Sequence, residues 1–156
     1  MGGQDQDREA RRATAWRIFF NVTTRVQGVL EVRLRKGANL TLSDYNLMLA
    51  LFERKDRRIR MGALSELLAI PPSRLTYQVS RLIADQMVRK VSLPDDRRVH
   101  FAELTELGAT RLKAATKIHQ SVVREFFLDE IPDEYIDRIV EVFEKVESQR
   151  AEQRKA

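Results

Sequence analysis

Two adjacent arginines, Arg97 and Arg98, follow an acidic turn in a segment whose residue types suit contact with an anion. Asp96 stands before them, a short extended run follows, and Thr105 then offers a helix N-cap. Guanidinium groups carry planar N–H donors that match phosphate oxygens and the edge of guanine. Charge at the tip of a hairpin whose base is anchored predicts a loop that reaches out to a partner.

A second polar surface lies on a helix predicted from about Pro72 to Gln86. At 100° per residue, one side of this helix is apolar and holds Leu75, Val79 and Leu82, with Ile83 at the edge. The other side presents Ser73, Arg74, Tyr77 and Arg81. Such a polar side can hydrogen-bond base edges and phosphates in a major groove. An ordinary amphipathic surface helix is the alternative, and the basic segment that follows argues against it.

The charge distribution agrees with a polyanionic partner. The net charge is +5, and residues 54–98 hold eleven basic against five acidic residues. Residues 124–156 hold six basic against ten acidic residues. A basic centre beside an acidic C-terminal region is expected when one region faces a polyanion, although a mixed solvated surface is the plain alternative.

Several classes of protein are excluded by composition and motif. Cysteine is absent, so there are no disulfides, thiol nucleophiles or thiolate metal sites. No apolar run approaches the ~20 residues that span a bilayer, and the polar N-terminus is unlike a signal peptide, so we expect a cytoplasmic protein. The chain lacks nucleotide-binding, metalloprotease and hydrolase motifs. We therefore expect no enzyme, catalytic residue, cofactor or metal site.

The elements that position these residues are mostly helical. Residues 1–9 are expected to be frayed, and an apolar stripe predicts a helix from about Arg11 to Lys36. Ser43 is expected to cap a second helix with Asp44 in its first turn, and residues 54–60 form a charged connector. Met61 to Ala69 predicts a short helix with Leu64, Leu67 and Leu68 inward, ended by Ile70-Pro71-Pro72. This helix and the one from Pro72 have helix-turn-helix proportions.

A hairpin and two helices complete the chain. Strands are predicted over Val88–Leu93 and Arg98–Glu103, around the turn Pro94-Asp95-Asp96. Thr105 begins a helix that extends to about Glu130, and a last helix restarts at Asp133 after Pro132.

The segment from Asp96 to Gly108 matches the signature D-x-R-x5-L-T-x2-G of the MarR (multiple antibiotic resistance regulator) family at every fixed position. The chain resembles that family from about Arg11 to Val146, including Leu-Thr-Leu-Ser at 40–43. The resemblance implies a mainly α fold with a small β-hairpin wing, that is, a winged helix-turn-helix with long N- and C-terminal dimerisation helices. It implies one domain over 1–156, with dimerisation regions at 11–36 and 109–153 and a DNA-binding region at 43–105.

The resemblance also implies roles for individual residues. Recognition-helix contacts to DNA fall on Ser73, Arg74, Thr76, Tyr77 and Arg81. In the wing, Arg98 is expected to enter the minor groove, Arg97 to contact phosphate, and Asp96 to shape the hairpin. The sequence departs from the family at three positions: Pro71 replaces a capping Ser or Thr, Gln86 replaces a Gly, and Lys90 replaces an Arg.

Apolar residues are abundant in the C-terminal third: Phe126, Phe127, Ile136, Ile139, Phe143 and Val146. They are either intramolecular core or, as the resemblance implies, part of an intertwined homodimer. Two-fold symmetry then implies a pseudo-palindromic operator. A cleft for a small aromatic or anionic effector would take in Trp16, Phe20, Tyr45, Met48 and His119, although each is also explained as a core or surface residue.

The sequence therefore predicts a homodimeric transcription regulator, a repressor that binds double-stranded operator DNA and is released by a small-molecule effector. An effector-independent dimeric winged-helix protein, architectural or regulated by a partner, is the alternative. Loss of operator binding on addition of an effector would separate the two.

Overall fold

The computed structural model describes residues 2–92 and 99–153, and the chain forms two compact units, Met1–Gln120 and Ser121–Ala156. The helices of the described residues are α1 Gly2–Ala38, α2 Leu42–Phe52, α3 Met61–Leu68, α4 Pro72–Ala84, α5 Glu106–Phe126 and α6 Asp133–Gln153. The strands are β1 Arg58–Arg60, β2 Val88–Ser92 and β3 His100–Leu104, and they form an antiparallel sheet in the order β1-β3-β2. The predicted fold class, mainly α with a small β-hairpin wing, is confirmed.

Helix α1 is longer than the sequence pattern indicated. It begins at Gly2, so residues 2–9, which were expected to be frayed, are instead helical. Its first turns carry ion pairs at three- and four-residue spacing, namely Asp5–Arg8, Asp7–Arg11 and Glu9–Arg12. Each such pair stabilises an exposed helix by about 0.2–0.5 kcal/mol. Apolar burial in α1 is confined to its C-terminal part, at Leu30, Leu34 and Ala38.

Helix α2 is capped by Thr41 and not, as predicted, by Ser43. The Asp44 N–H donates to Thr41 Oγ1 at 2.9 Å, and the Thr41 N–H donates to Asp44 Oδ2 at 2.9 Å. This reciprocal capping box satisfies two backbone donors, whereas Ser43 lies inside the helix. The Leu42 N–H donates to Glu31 Oε2 of α1 at 2.7 Å, which ties the start of α2 to α1 as well.

The core of the first unit is aliphatic. Fully buried side chains come from every helix between α1 and α5: Leu34, Leu47, Met48, Leu51, Leu64, Leu75, Leu82 and Leu112. Leu67 was expected to point inward, but 54% of its surface is exposed. Helix α3 has only two turns and buries a single side, on which Leu64 is followed by the buried Ser65. The Ser65 hydroxyl donates to the Ile70 carbonyl at 2.6 Å and so holds the end of α3.

Strand β1 was not predicted, because residues 54–60 are rich in charge and were expected to form a connector. Ile59 is buried, Arg60 is exposed, and Ile59 pairs with Ala102 of β3. Three residues are too few to show a two-residue alternation in the sequence. The strand places the start of α3 against the hairpin.

The hairpin itself is confirmed in position. Strand β2 begins at Val88 as predicted, and its partner pairs run from Val88↔Leu104 to Ser92↔His100. Ser92 Oγ and His100 Nδ1 form a hydrogen bond of 2.9 Å at the last described pair. Residues 93–98, which include the predicted strand ends Leu93 and Arg98, lie outside the described residues.

Helix α5 begins where the sequence places it. The Gly108 N–H donates to Thr105 Oγ1 at 2.9 Å, so Thr105 is the N-cap. The Thr105 N–H in turn donates to the Met87 carbonyl at 3.1 Å, which joins the start of α5 to the base of the hairpin. Helix α5 ends at Phe126, short of the predicted Glu130, because a single 3-10 turn occupies Leu128–Glu130. Helix α6 begins at Asp133, as predicted.

Gly108 allows the closest approach at this junction. A Cβ there would lie 2.1 Å from the Met87 carbonyl oxygen and 2.8 Å from Leu104 Cδ1. Alanine favours a helix over glycine by about 1 kcal/mol, but the clash with a hydrogen-bonded backbone carbonyl outweighs that gain. We expect Gly108→Ala to lower the free energy of unfolding by about 1–3 kcal/mol in urea titrations.

Gly62→Ala is the matched control, because a Cβ at Gly62 meets nothing within 4 Å. This variant should keep or raise stability, by up to about 1 kcal/mol. A Gly108→Ala protein as stable as the Gly62→Ala protein would contradict the close contact.

Candidate nucleic-acid interface

Helix α4 has the two sides that its sequence predicted. Leu75, Val79 and Leu82 are buried, with 1%, 3% and 1% of their surfaces exposed. The predicted contact residues Ser73, Arg74, Thr76 and Tyr77 are all exposed. Tyr77 keeps 74% of its surface in solvent, so both its ring and its hydroxyl can be reached by a partner.

The ends of α4 are set by backbone conformation. Ala69 adopts a left-handed φ of 51°, and Pro71 precedes the helix with no side-chain cap, so the turn between α3 and α4 is short. Pro72 begins the helix at a position that needs no hydrogen bond from its nitrogen. The helix ends at Ala84, two residues before the predicted Gln86, and Gln86 itself takes a left-handed φ of 59°. A side chain at that φ costs about 1 kcal/mol relative to glycine.

Arg81, the fifth predicted contact residue on α4, is ion-paired. Its Nη2 donates to Asp44 Oδ1 across the interface between α4 and α2. The side chain of Asp44 is only 2% exposed, while that of Arg81 is 42% exposed. Gln78 Nε2 donates to the same Asp44 oxygen at 3.1 Å, and Ser43 Oγ donates to Gln78 Oε1 at 3.2 Å.

This cluster, which we define as Ser43, Asp44, Gln78 and Arg81, was not predicted from the sequence. The sequence predicted for Asp44 only a favourable charge near a helix N-terminus, and it predicted no role for Gln78. The Thr-x-x-Asp spacing at 41–44 was a signal for the capping box. Contact with α4, 34 residues further along the chain, had no local signal.

Two concave surfaces flank the exposed side of α4. A notch of about 170 Å³ on the α2 side contains the cluster and is also lined by Thr41, Arg74 and Tyr77. A larger cleft of about 660 Å³ lies between α3, α4 and the sheet. Its polar lining includes Arg60, Thr76, Ser80, Lys90 and His100. Both flanks of α4 therefore carry cationic and hydroxyl groups.

Other cations of the sheet are neutralised by neighbouring carboxylates. Arg89 pairs with Glu103, Arg57 with Glu106, and Arg58 with Asp56. The hydrogen bond from Arg58 holds the pKa of the exposed Asp56 carboxyl below its usual value. Within the described residues, no ion pair includes Arg60, Arg74 or Lys90. In this part of the chain, Arg60, Arg74 and Lys90 are therefore cations on or beside α4 that have no carboxylate partner.

The predicted wing contacts Asp96, Arg97 and Arg98 lie outside the described residues. The described part of the hairpin ends at Ser92 and resumes before His100. Lys90, at the position where the family has Arg, is exposed on β2.

The five residues predicted to line an effector cleft fall into two groups. Tyr45 and Met48 are buried, and the His119 ring stacks on Tyr45 with centroids 4.7 Å apart. Burial lowers the pKa of His119. Trp16 and Phe20 instead are 64% and 55% exposed on α1, with ring centroids 6.1 Å apart. The effector cleft stays a prediction.

The described residues offer neither a metal-binding cluster nor a membrane-spanning helix. No group of three or more His, Asp or Glu side chains there could hold a metal ion. No helix of that part of the chain is long and apolar enough to cross a membrane.

Comparisons with known proteins give a consistent set of relatives, although no family model matches the chain. The HTH-type transcriptional repressor YetL of Bacillus subtilis is 24% identical over 131 residues, which is 82% of this chain and 78% of YetL. Among solved structures, Sco3205, a MarR family transcriptional regulator from Streptomyces coelicolor crystallised with DNA, is 29% identical with a TM-score of 0.82. The match covers 90% of this chain and 88% of Sco3205.

Two further structures share the fold. AbsC, another MarR family transcriptional regulator from Streptomyces coelicolor, is 28% identical with a TM-score of 0.80, over 89% of this chain and 93% of AbsC. MarR C80S from E. coli, crystallised with operator DNA, is 18% identical with a TM-score of 0.71, over 83% of this chain and 91% of that one. The chain therefore has a winged helix-turn-helix fold and is similar, in that fold and in its signature at 96–108, to MarR family transcriptional regulators.

Proposed function

We propose that this protein is a sequence-specific regulator of transcription that binds double-stranded DNA through the exposed side of α4. One observation carries this proposal: one side of α4 exposes polar residues while the opposite side is aliphatic and buried. The exposed residues are Ser73, Arg74, Thr76 and Tyr77. Sco3205, which was crystallised with DNA, is 29% identical and supports the same function here.

The chemistry of these side chains fits a major groove. Arg74 presents a planar pair of donors that matches O6 and N7 of guanine, and hydroxyl groups of Ser73 and Thr76 can bond to bases or phosphates. Lys90 and Arg60, beside the larger cleft, add positive charge that attracts phosphates without reading sequence.

The wing is proposed to add a second kind of contact. Arg98 would enter a narrow minor groove, where negative potential is concentrated, and Arg97 would contact phosphate. Asp96 would brace the hairpin. The described base of the hairpin supports this role, because β2 and β3 pair over five residues and join α5 through Thr105.

We propose that the active form is a homodimer on a pseudo-palindromic operator. Large apolar side chains are exposed on both terminal helices: Trp16, Ile18 and Phe20 on α1, and Tyr135, Val140, Val142 and Val146 on α6. Large exposed apolar side chains of this kind are typical of protein–protein contacts when they form a patch. A two-fold dimer presents two copies of α4, which matches two half-sites about one helical turn apart.

Repression and release by a small molecule complete the proposal. YetL is named a repressor, and the same role is proposed here. An effector that enters beside Tyr45, Met48 and His119 would move α2, to which α4 is hydrogen-bonded. We propose no enzymatic activity and a cytoplasmic location, where the DNA is. An effector-independent winged-helix protein is the second candidate, favoured by the dense packing around Met48, which is 0% exposed.

The reading of DNA by α4 is tested by Arg74→Ala and Tyr77→Ala. A duplex selected from a random library by the wild-type protein serves as the probe. Each substitution should cost about 1–3 kcal/mol per half-site and relax the preference at one base position. Fluorescence anisotropy on the selected duplex and on its single-base variants measures both effects.

The control for this experiment is Arg138→Ala, which removes the same charge from an exposed ion pair with Glu141 on α6. Its binding should match that of the wild type. If the Arg74 and Tyr77 variants kept full affinity and sequence preference, the assignment of α4 as the reading helix would be wrong.

The dimer is tested by Phe20→Asp, because a charge in an apolar interface is costly to bury. The wild type should sediment at twice 18.2 kDa, and the variant should dissociate. Leu67→Asp is the matched control, since Leu67 on α3 is 54% exposed and Phe20 is 55% exposed. Sedimentation velocity at micromolar concentration checks both, and a folded wild-type monomer would rule the dimer out.

A further inference from the structure

The cluster of Ser43, Asp44, Gln78 and Arg81, built around a buried carboxylate, connects the first turn of α2 to α4. Its centre is the Asp44 carboxylate, whose side chain is 2% exposed. Oδ2 accepts the N–H of Thr41 and caps α2, while Oδ1 accepts from Gln78 and Arg81 of α4. A single carboxylate therefore fixes the start of one helix and the position of another.

Arg81 differs in this respect from Arg74, which lies two helical turns away on the same side of α4. Among the described residues no ion pair includes Arg74, whereas the Arg81 guanidinium is bound to a buried carboxylate. Turning Arg81 toward a base would leave the Asp44 charge buried with less compensation. Such an uncompensated buried charge is strongly unfavourable. The structure therefore opposes a base contact by Arg81, although its position on the helix predicted one.

We propose that Arg81 is a positioning residue, which acts through Asp44 and Gln78 to hold α4 at the angle at which Arg74 and Tyr77 meet the bases. This inference rests on the proposed DNA binding, and it deepens that proposal by separating two arginines of the same helix. Arg74 and Tyr77 line the notch beside the cluster, so a shift of α4 against α2 displaces both.

Asp44→Asn tests the inference, because positioning and simple electrostatics predict opposite changes in affinity for DNA. Asparagine keeps an oxygen to cap α2, but its amide then turns N–H donors toward the donors of Gln78 and Arg81. Removal of a negative charge next to the DNA surface by itself strengthens binding to a polyanion. Loss of positioning weakens it. We expect operator affinity to fall roughly tenfold, the size of losing one good contact.

A double-mutant cycle identifies the route by which Arg81 acts. Arg81→Met keeps the aliphatic stem and removes the guanidinium. Alone it should weaken binding as Asp44→Asn does, and in the Asp44→Asn background it should cost little more, because both remove the same link. Arg138→Met, which removes a guanidinium from an exposed ion pair on α6, is the matched control, and its effect should be the same in both backgrounds to within about twofold.

Gln78→Met probes the same link without touching the cap of α2. It should also lower affinity for the selected duplex, while circular dichroism and urea unfolding show which variants are folded. This variant decides the question if Asp44→Asn does not fold.

Three results would overturn the inference: tighter or unchanged binding by Asp44→Asn, an equal cost of Arg81→Met in both backgrounds, or unchanged binding by a folded Gln78→Met. All three are measured on the duplex selected by the wild-type protein and on a scrambled version. A wild type that does not discriminate between these two duplexes sinks the proposed function, which is a distinct outcome.

Discussion

A buried carboxylate, that of Asp44, determines how the two helices at the candidate interface are joined. With 2% of its side chain exposed, it can stay charged only if its oxygens are fully hydrogen-bonded. Thr41, Gln78 and Arg81 supply those donors from two helices. The requirement for satisfied hydrogen bonds thus couples the cap of α2 to the placement of α4. Through Leu42 and Glu31, the same turn of α2 is also bonded to α1.

The hairpin is anchored by a second close junction. The Met87 carbonyl accepts the Thr105 N–H, and Gly108 packs directly against that carbonyl. Strand β1 adds a third chain segment, because it pairs with β3 just before α3 begins. The base of the wing is therefore fixed to the helix-turn-helix on one side and to α5 on the other. A contact made at the far end of the hairpin would have a rigid support.

Within the part of the chain that the structure describes, positive charge without a carboxylate partner lies on and beside the exposed side of α4. Arginines of the sheet, such as Arg89, are paired with carboxylates, and Arg81 is paired with Asp44. Arg60, Arg74 and Lys90 surround α4 and are in no ion pair of the described residues. Apolar side chains such as Trp16 and Tyr135 are exposed elsewhere, on the terminal helices. One polypeptide thus exposes polar side chains on α4 and apolar side chains on its terminal helices.

The sequence by itself determined the elements whose signals are local. The helical spacing of apolar residues predicted the buried and exposed sides of α4. Thr105 indicated the start of α5, and the signature at 96–108 indicated the family resemblance. Each of these depends on residues within a few turns of one another, so a pattern in the chain is sufficient. The same local logic predicted that the last helix begins at Asp133, directly after Pro132.

Only the tertiary structure decided the rest. Strand β1 forms because Ile59 pairs with Ala102 of β3. Asp44 contacts α4 because folding brings it next to Arg81, which is 37 residues further along the chain. The sequence showed two arginines on one side of a helix and could not distinguish them. Folding distinguishes them, because the buried Asp44 carboxylate binds Arg81, whereas no ion pair of the described residues includes Arg74. Residues that meet from distant parts of the chain produce no regular spacing in the sequence that could predict their contact. The strength of a charge pair depends on its burial, and burial is set only when the chain packs.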